Sequence, residues 1–107
     1  DSENYEEDQN LEEDENLEGA NVFGCDFEGA DLSGANLEGA NLEQCNFKGA
    51  TMRGVNFKDA TLKEANLEGA DLTDSTFEDA DMRGAEIHGS RINGVNFQGA
   101  IETAPPF

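Results

Sequence analysis

The chain has 107 residues, a hydrophobic fraction of 36% and a formal net charge of −19. Its length allows one small domain, and its sign excludes a nucleic-acid-binding surface. No run reaches the about 18 apolar residues of a membrane span, and no basic stretch leads into an apolar one as in a signal peptide.

Residues 1–16, DSENYEEDQNLEEDEN, hold nine acids and no base. Tyr5 and Leu11 are their apolar residues, and a spacing of six makes no face of a helix or a strand. This segment is expected to be a solvated acidic tail or a cap over one end of the remaining chain. A chain beginning at Asp1 rather than Met is expected to have been shortened, with a targeting segment among the parts that could be missing.

From Leu17 onward a large apolar residue recurs every five positions, a period that is neither helical nor extended. These centres are Leu17, Val22, Phe27, Leu32, Leu37, Leu42, Phe47, Met52, Phe57, Leu62, Leu67, Leu72, Phe77, Met82, Ile87, Ile92 and Phe97. Two positions before each, from Ala20 to Val95, stands a small residue, including Cys25, Cys45, Ser75 and Ser90. The position just before the centre is mostly Asn, Asp or Thr, and all 12 glycines lie two after a centre.

Such a unit buries one large and one small side chain on one side of a short extended piece. The chain must then turn, and glycine takes positive φ there cheaply. Asn, Asp and Thr can bond nearby backbone groups at the turn. Turning repeatedly in one sense predicts an all-β solenoid with an apolar axis, each turn stabilised by its neighbours. Four units on from Phe27, Phe57 and Phe77 stand Phe47, Phe77 and Phe97, whereas no Phe centre has another Phe three units on. Cys25 and Cys45 are also four units apart, so four units per coil are favoured. The charges do not choose between four units and three.

The stretch ANLEGANLEQCNFKGATMRGVNF resembles the pentapeptide-repeat proteins, whose unit reads A-(D/N)-L-x-x. The resemblance covers about residues 15–101 and implies a right-handed quadrilateral β-helix, here of about four coils with four units each. The expected organisation is an acidic tail or cap over 1–14, the β-helix over 15–101 and a C-terminal tail over 102–107. Glu86 and Arg91 depart from the usual Asn or Asp, and Val55 and Val95 from Ala. Members of the family mostly lack an assigned activity, but some mimic B-form DNA and bind DNA gyrase. Those are usually longer and dimerise through a C-terminal element, whereas this chain ends in IETAPPF.

The repeat segment, residues 17–107, carries 16 acids and six bases, a net of −10. Over about 20 Å of axis at strand spacing, that is one charge per roughly 2 Å, against one per about 1.7 Å in duplex DNA. However, Lys48, Arg53, Lys58 and Lys63 fall in consecutive units and form a positive belt unlike DNA. With four units to a coil, Lys58 lies between Glu38 and Glu78, Lys48 between Glu28 and Glu68, Lys63 beside Glu43 and Arg91 beside Asp71, so cross-strand ion pairs are expected.

No catalytic site is expected. His88 is the sole histidine and points outward. Ser75 and Ser90 face inward without a base to activate them. Asp59 with Asp79, and Asp71 with Asp74, could form at most a weak cation site, because no ligand loop of known spacing is present. The glycines belong to the turns and form no phosphate loop. The chain is therefore expected to be a non-enzymatic scaffold without cofactor or metal, binding an unidentified protein but neither nucleic acid nor membrane, with a DNA mimic as the alternative. A monomer is expected, with an end-to-end dimer as the alternative. The expected compartment is the cytoplasm, or, after removal of a targeting segment, an exported or thylakoid-lumen location.

Phe23 is the one large apolar residue at an outward position of the repeat, and it is expected to pack under a cap through Tyr5 or Leu11. Cys25 and Cys45, in one inward position of successive coils, are the candidate disulfide pair. Adjacent parallel strands place their Cα atoms about 4.8 Å apart, inside the disulfide window, but Cβ atoms at that spacing exceed the about 3.8 Å that a bridge prefers. Buried free thiols are the expectation in a reducing compartment.

Overall fold

The computed structural model describes residues 15–102. Every unit repeats one geometry. The residue before the centre forms a parallel β-bridge, and the two residues after the centre form a turn. The bridges join each unit to the fourth unit on, from Asn16 with Asn36 to Asp81 with Ile101. Four five-residue units thus make one circuit of the chain, and the section has four sides.

Each inner unit donates three backbone hydrogen bonds to the circuits above and below it. Around Leu37, its own N–H donates to the Asn56 carbonyl (2.8 Å), and the Gly39 N–H donates to the Lys58 carbonyl (2.8 Å). The Asn36 N–H donates in the opposite direction, to the Glu15 carbonyl (2.9 Å). A fourth bond closes the turn, from the Ala40 N–H back to the Leu37 carbonyl (3.0 Å). In that turn the second residue after the centre has positive φ, as Gly39 does at 69°, the arrangement of a type II turn. Five non-glycine residues take the same conformation: Gln44, Asp59, Glu64, Asp74 and Asp79, at φ of 61–63°.

The Asn, Asp and Thr before the centre hold the turn from outside. Asn36 Oδ1 accepts the Glu38 N–H (3.0 Å), and Asn56 Oδ1 accepts the Lys58 N–H (2.9 Å). The amides also bond along the rod, Asn36 Nδ2 donating to Asn16 Oδ1 (3.3 Å) and Asn56 Nδ2 to Asn36 Oδ1 (3.4 Å). A side chain that accepts from its own turn and donates to the previous circuit satisfies polar groups that would otherwise compete with the ladder.

Inside, the centres from Leu32 to Ile87 are at most 2% exposed, together with the small residues from Ala35 to Ala80. Leu17, Val22, Phe27, Ile92 and Phe97 are half-buried against that core. The phenylalanines form two stacks on opposite sides. Phe27 and Phe47 lie 5.5 Å apart at 7°, while Phe57 meets Phe77 at 4.5 Å and Phe77 meets Phe97 at 5.5 Å. Phe47 meets Phe57 edge to face across the axis at 6.5 Å and 77°, joining the stacks.

Candidate interaction surface

Side chains fill the interior, so the chemistry of this chain lies on its four flat sides. The outward side chains are those just before the centre and the two after it, aligned in columns by the four-unit register. The side over Leu37 and Phe57 carries five acids (Glu18, Glu38, Asp59, Glu78 and Asp79) against Lys58. The opposite side, over Phe47 and Leu67, carries four (Asp26, Glu28, Glu68 and Glu86) against Lys48. The remaining two sides carry three acids and two bases each. Charge is therefore segregated: two strongly acidic sides face opposite ways, separated by two nearly neutral ones.

The expected ion pairs are not the ones formed. Lys58 does stand in one column with Glu38 and Glu78, as the Gly39 N–H to Lys58 and Asp59 N–H to Glu78 bonds show. Among the described residues, though, the ion pairs within 4.0 Å are Arg53–Asp71 (3.3 Å) and Arg83–Asp81 (2.7 Å). The carboxylates turn instead to the asparagine amides. Glu38 Oε1 accepts from Asn56 Nδ2 (3.3 Å), and Glu28 Oε1 accepts from Asn46 Nδ2 (3.4 Å). Asp71 is held by Arg53 and by the Thr73 hydroxyl (2.5 Å) rather than by Arg91. Flexible lysines gain too little from one exposed carboxylate to be fixed by it. The Thr73 hydroxyl and Arg53 hold the Asp71 carboxyl below the usual carboxylate range, and Arg83 does the same for Asp81.

On one nearly neutral side, Glu43, Lys63, Glu64, Arg83 and Gly84 line a shallow groove. Arg83 folds onto Asp81 through Nε (2.9 Å) and Nη2 (2.7 Å), and Gly84 puts no side chain where Gln44 and Glu64 stand on the preceding circuits. The sequence alone does not show which way Arg83 lies, so this groove is not readable from the repeat. The same side carries two exposed large apolar residues, Phe23 (52%) and Ile101 (51%), so Phe23 is not alone at an outward position as expected. Tyr5 and Leu11, expected to cover Phe23, lie outside the described residues.

The inward polar groups are engaged structurally. The Ser75 hydroxyl donates to the Met52 carbonyl (2.6 Å) and accepts the Val55 N–H (3.1 Å). It thereby inserts itself into the turn that other units close directly. Ser90 Oγ donates to the Ile87 carbonyl (2.6 Å). Both cysteines are free thiols, and Cys45 Sγ donates to the Val22 carbonyl (2.9 Å). Burial pushes the Cys45 thiol pKa up, away from the reactive thiolate. Among the described residues no three His, Cys, Asp or Glu side chains converge on a metal position, Asp59 with Asp79 and Asp71 with Asp74 included. His88 is exposed on an acidic side. No helix among the described residues is long and apolar enough to cross a membrane.

A parallel, four-sided β-solenoid with a polar exterior defines a class of repeat proteins. The model of the pentapeptide repeat region matches residues 20–97, and the chain belongs to that family, whose fold is the right-handed β-helix. Among solved structures, a pentapeptide repeat protein from the thylakoid lumen of Arabidopsis thaliana is similar at 34% identity and a TM-score of 0.57, over 78% of this chain and 66% of that one. A trypsin-treated variant of QnrB1, a plasmid-mediated fluoroquinolone resistance protein, is similar at 26% identity and a TM-score of 0.57, over 80% of this chain and 47% of that one. The chain thus spans about two thirds of the first protein's length and about half of the second's. No functionally curated sequence matches the chain.

Proposed function

We propose that the chain is a non-catalytic scaffold that presents flat acidic sides to a protein partner. In this reading a rod of about four coils spans residues 15–101, with segments 1–14 and 102–107 flanking it. The observation that carries it is the segregation of charge: five acids against one base on one side, four against one on the opposite side. A rigid acidic plane of this kind steers a basic partner and fixes its orientation. Reversing charge at Glu38 and Glu78 should abolish capture of such a partner. Reversal at Asp31 and Asp74, on a nearly neutral side, should leave capture intact.

A second reading is that the chain mimics duplex DNA and occupies a DNA-binding enzyme such as gyrase. The likeness to a fluoroquinolone resistance protein and the overall acidity favour it, while the lysine and arginine belt opposes it. A gyrase supercoiling assay separates the two. Unchanged supercoiling at micromolar protein fits the scaffold, and loss of supercoiling that salt relieves fits the mimic.

For the compartment, we infer a cytoplasmic protein with reduced thiols; the lumenal Arabidopsis relative supports the exported alternative. Thiol titration of the unfolded, unreduced protein reads this out. Two reactive thiols fit the cytoplasm, and none would show that Cys25 and Cys45 had bridged.

A further inference from the structure

The side that holds the groove is also where the described residues leave large apolar groups exposed, Phe23 at 52% and Ile101 at 51%. One column of that side reads Phe23, Glu43, Lys63, Arg83, as the Gly24 N–H to Glu43, Gln44 N–H to Lys63 and Glu64 N–H to Arg83 bonds show. The neighbouring column runs from Asn21 through Asn41, Thr61 and Asp81 to Ile101 by successive parallel bridges. Phe23 and Ile101 are therefore four circuits apart, about 19 Å along the axis at about 4.8 Å each. Two residues across the strands add a sideways offset of about 6.6 Å, for a separation of about 20 Å. The groove lined by Glu43, Lys63, Glu64, Arg83 and Gly84 lies between them. Lys63 has no carboxylate within 4.0 Å among the described residues, and Arg83 has Asp81.

The N-terminal segment has the matching spacing. Its apolar residues, Tyr5 and Leu11, are six apart, which spans about 20 Å in an extended chain at about 3.3 Å per residue. An even spacing turns both to one face of an extended segment, with Glu7 and Gln9 between them on that face and Glu6, Asp8 and Asn10 on the other. We propose that residues 1–14 dock on this side of the rod as an extended strap, with Leu11 on Phe23, Tyr5 on Ile101 and Glu7 toward Lys63 and Arg83.

Chain length fixes the direction. Leu11 is four residues before Glu15, and four residues span at most about 14 Å. Phe23 lies in the same circuit as Glu15, within one side and most of the next. With about three extended residues to a side, about 10 Å, that is at most about 14 Å straight across. Ile101, about 19 Å farther along the axis, is out of reach of Leu11 but not of Tyr5, which is ten residues from Glu15 and can extend about 33 Å. With Leu11 over Phe23, Gln9 falls about 6.6 Å along, between Glu43 and Lys63, and Glu7 about 13 Å along, between Lys63 and Arg83. The Gln9 amide can then donate to Glu43 while Glu7 meets two cations. No other side offers this set. The two acidic sides repel the segment, and the fourth has no exposed large apolar residue and keeps Arg53 on Asp71 at 3.3 Å. An exposed ion pair contributes little by itself, but the tether holds the segment at high effective concentration and the apolar contacts anchor its ends. Once docked, Glu6, Glu7 and Asp8 cover the two bases of this side, so the rod shows acidic surface on three sides rather than two.

Nuclear magnetic resonance of the full chain tests this, because Tyr5 is the only tyrosine. The expected result is nuclear Overhauser cross-peaks from the Tyr5 ring to the Ile101 methyls and from the Leu11 methyls to the Phe23 ring, with relative intensities that do not change on dilution. Glu7→Lys should lose the Tyr5–Ile101 cross-peaks. Glu6→Lys, the same charge change on the outer face of the segment, should keep them. Both substitutions lie outside the repeat and should leave the circular dichroism spectrum of the parent. Absence of a Tyr5–Ile101 cross-peak in the parent, Ile101 methyls in contact with Phe107 instead, cross-peaks that fade on dilution and so report a second copy, or two lysine variants that behave alike would each overturn the proposal.

Discussion

Phe57 and Phe27 occupy the same place in the unit but not the same surroundings. Phe57 is fully buried, stacked on Phe77 at 4.5 Å and edge-on to Phe47 at 6.5 Å. Phe27 is half-buried and, among the described residues, has one ring partner, Phe47 at 5.5 Å. The backbone shows the same contrast. All five non-glycine residues at positive φ lie between Gln44 and Asp79, whereas the turn positions from Gly19 to Gly39 and from Gly84 to Gly99 are all glycine. In a solenoid a unit is held by the circuits above and below it. Where both are present, packing over-determines the backbone and tolerates strain of about 1 kcal/mol per left-handed residue. In the circuits next to the limits of the described residues, every such position is glycine.

Truncating the two rings separates these regions most widely. Phe57→Ala should lower unfolding stability in denaturant by about 3–5 kcal/mol, the usual cost of a buried aromatic cavity. Phe27→Ala should cost less, because part of its surface is already exposed and its apolar transfer is incomplete. Equal losses would mean that the end circuits are as closed as the middle.

Exchanging residues at the turn position probes the strain itself. Glu64→Gly removes a left-handed side chain from the middle and should raise stability by about 0.5 kcal/mol, strain relief exceeding the added unfolded-state entropy. Gly29→Ala does the reverse in an end turn, where no atom lies within 4 Å of the added Cβ and φ is 70°. It should cost about 1 kcal/mol through conformation alone. Thermal melts of the two variants should therefore shift in opposite directions.

Ser75→Ala deletes the hydroxyl between Met52 and Val55. The turn can then close directly, as the other turns do, so the expected loss is about 1 kcal/mol or less. Ser90→Ala, at a half-buried site near the rim, should be close to neutral.

The smallest effect is electrostatic. Asp71 and Asp81 titrate below the usual carboxylate range because Thr73, Arg53 and Arg83 favour their ionised forms. A depressed folded-state pKa contributes stability above the unfolded value, and this is lost as pH falls through the folded one. The parent should thus exceed the double variant Asp71→Asn with Asp81→Asn in melting temperature near neutral pH. That gap should close below the usual carboxylate range, and a gap that widens on acidification would refute the assignment.

The repeat was legible because its physical cause is local. A five-residue alternation of large, turn and small residues is what a bend every five residues demands. Phe27 with Phe47 and Phe57 with Phe77 already pointed to the four-unit register that the bridges show. Surface contacts were less legible. A column of Glu38, Lys58 and Glu78 can be read from spacing, but whether Glu38 turns to Lys58 or to Asn56 depends on rotamer differences of less than about 1 kcal/mol. The Ser75 insertion could be suspected from a hydroxyl at an inward position, yet its partner carbonyl, at Met52, belongs to the preceding circuit. The direction of the inter-circuit hydrogen bonds is a backbone property that side-chain periodicity does not encode.

Amide hydrogen exchange in dilute solution tests the directional ladder most directly. Leu67 and Ile87 are both buried, at 0% and 2% exposure, and lie in one column on successive circuits. The Leu67 N–H donates to the Glu86 carbonyl at 2.7 Å, whereas the Ile87 N–H has no acceptor among the described residues. The Leu67 amide should exchange with protection approaching global unfolding, and the Ile87 amide should exchange orders of magnitude faster despite its buried side chain. Equal protection of the two amides would contradict the directional ladder.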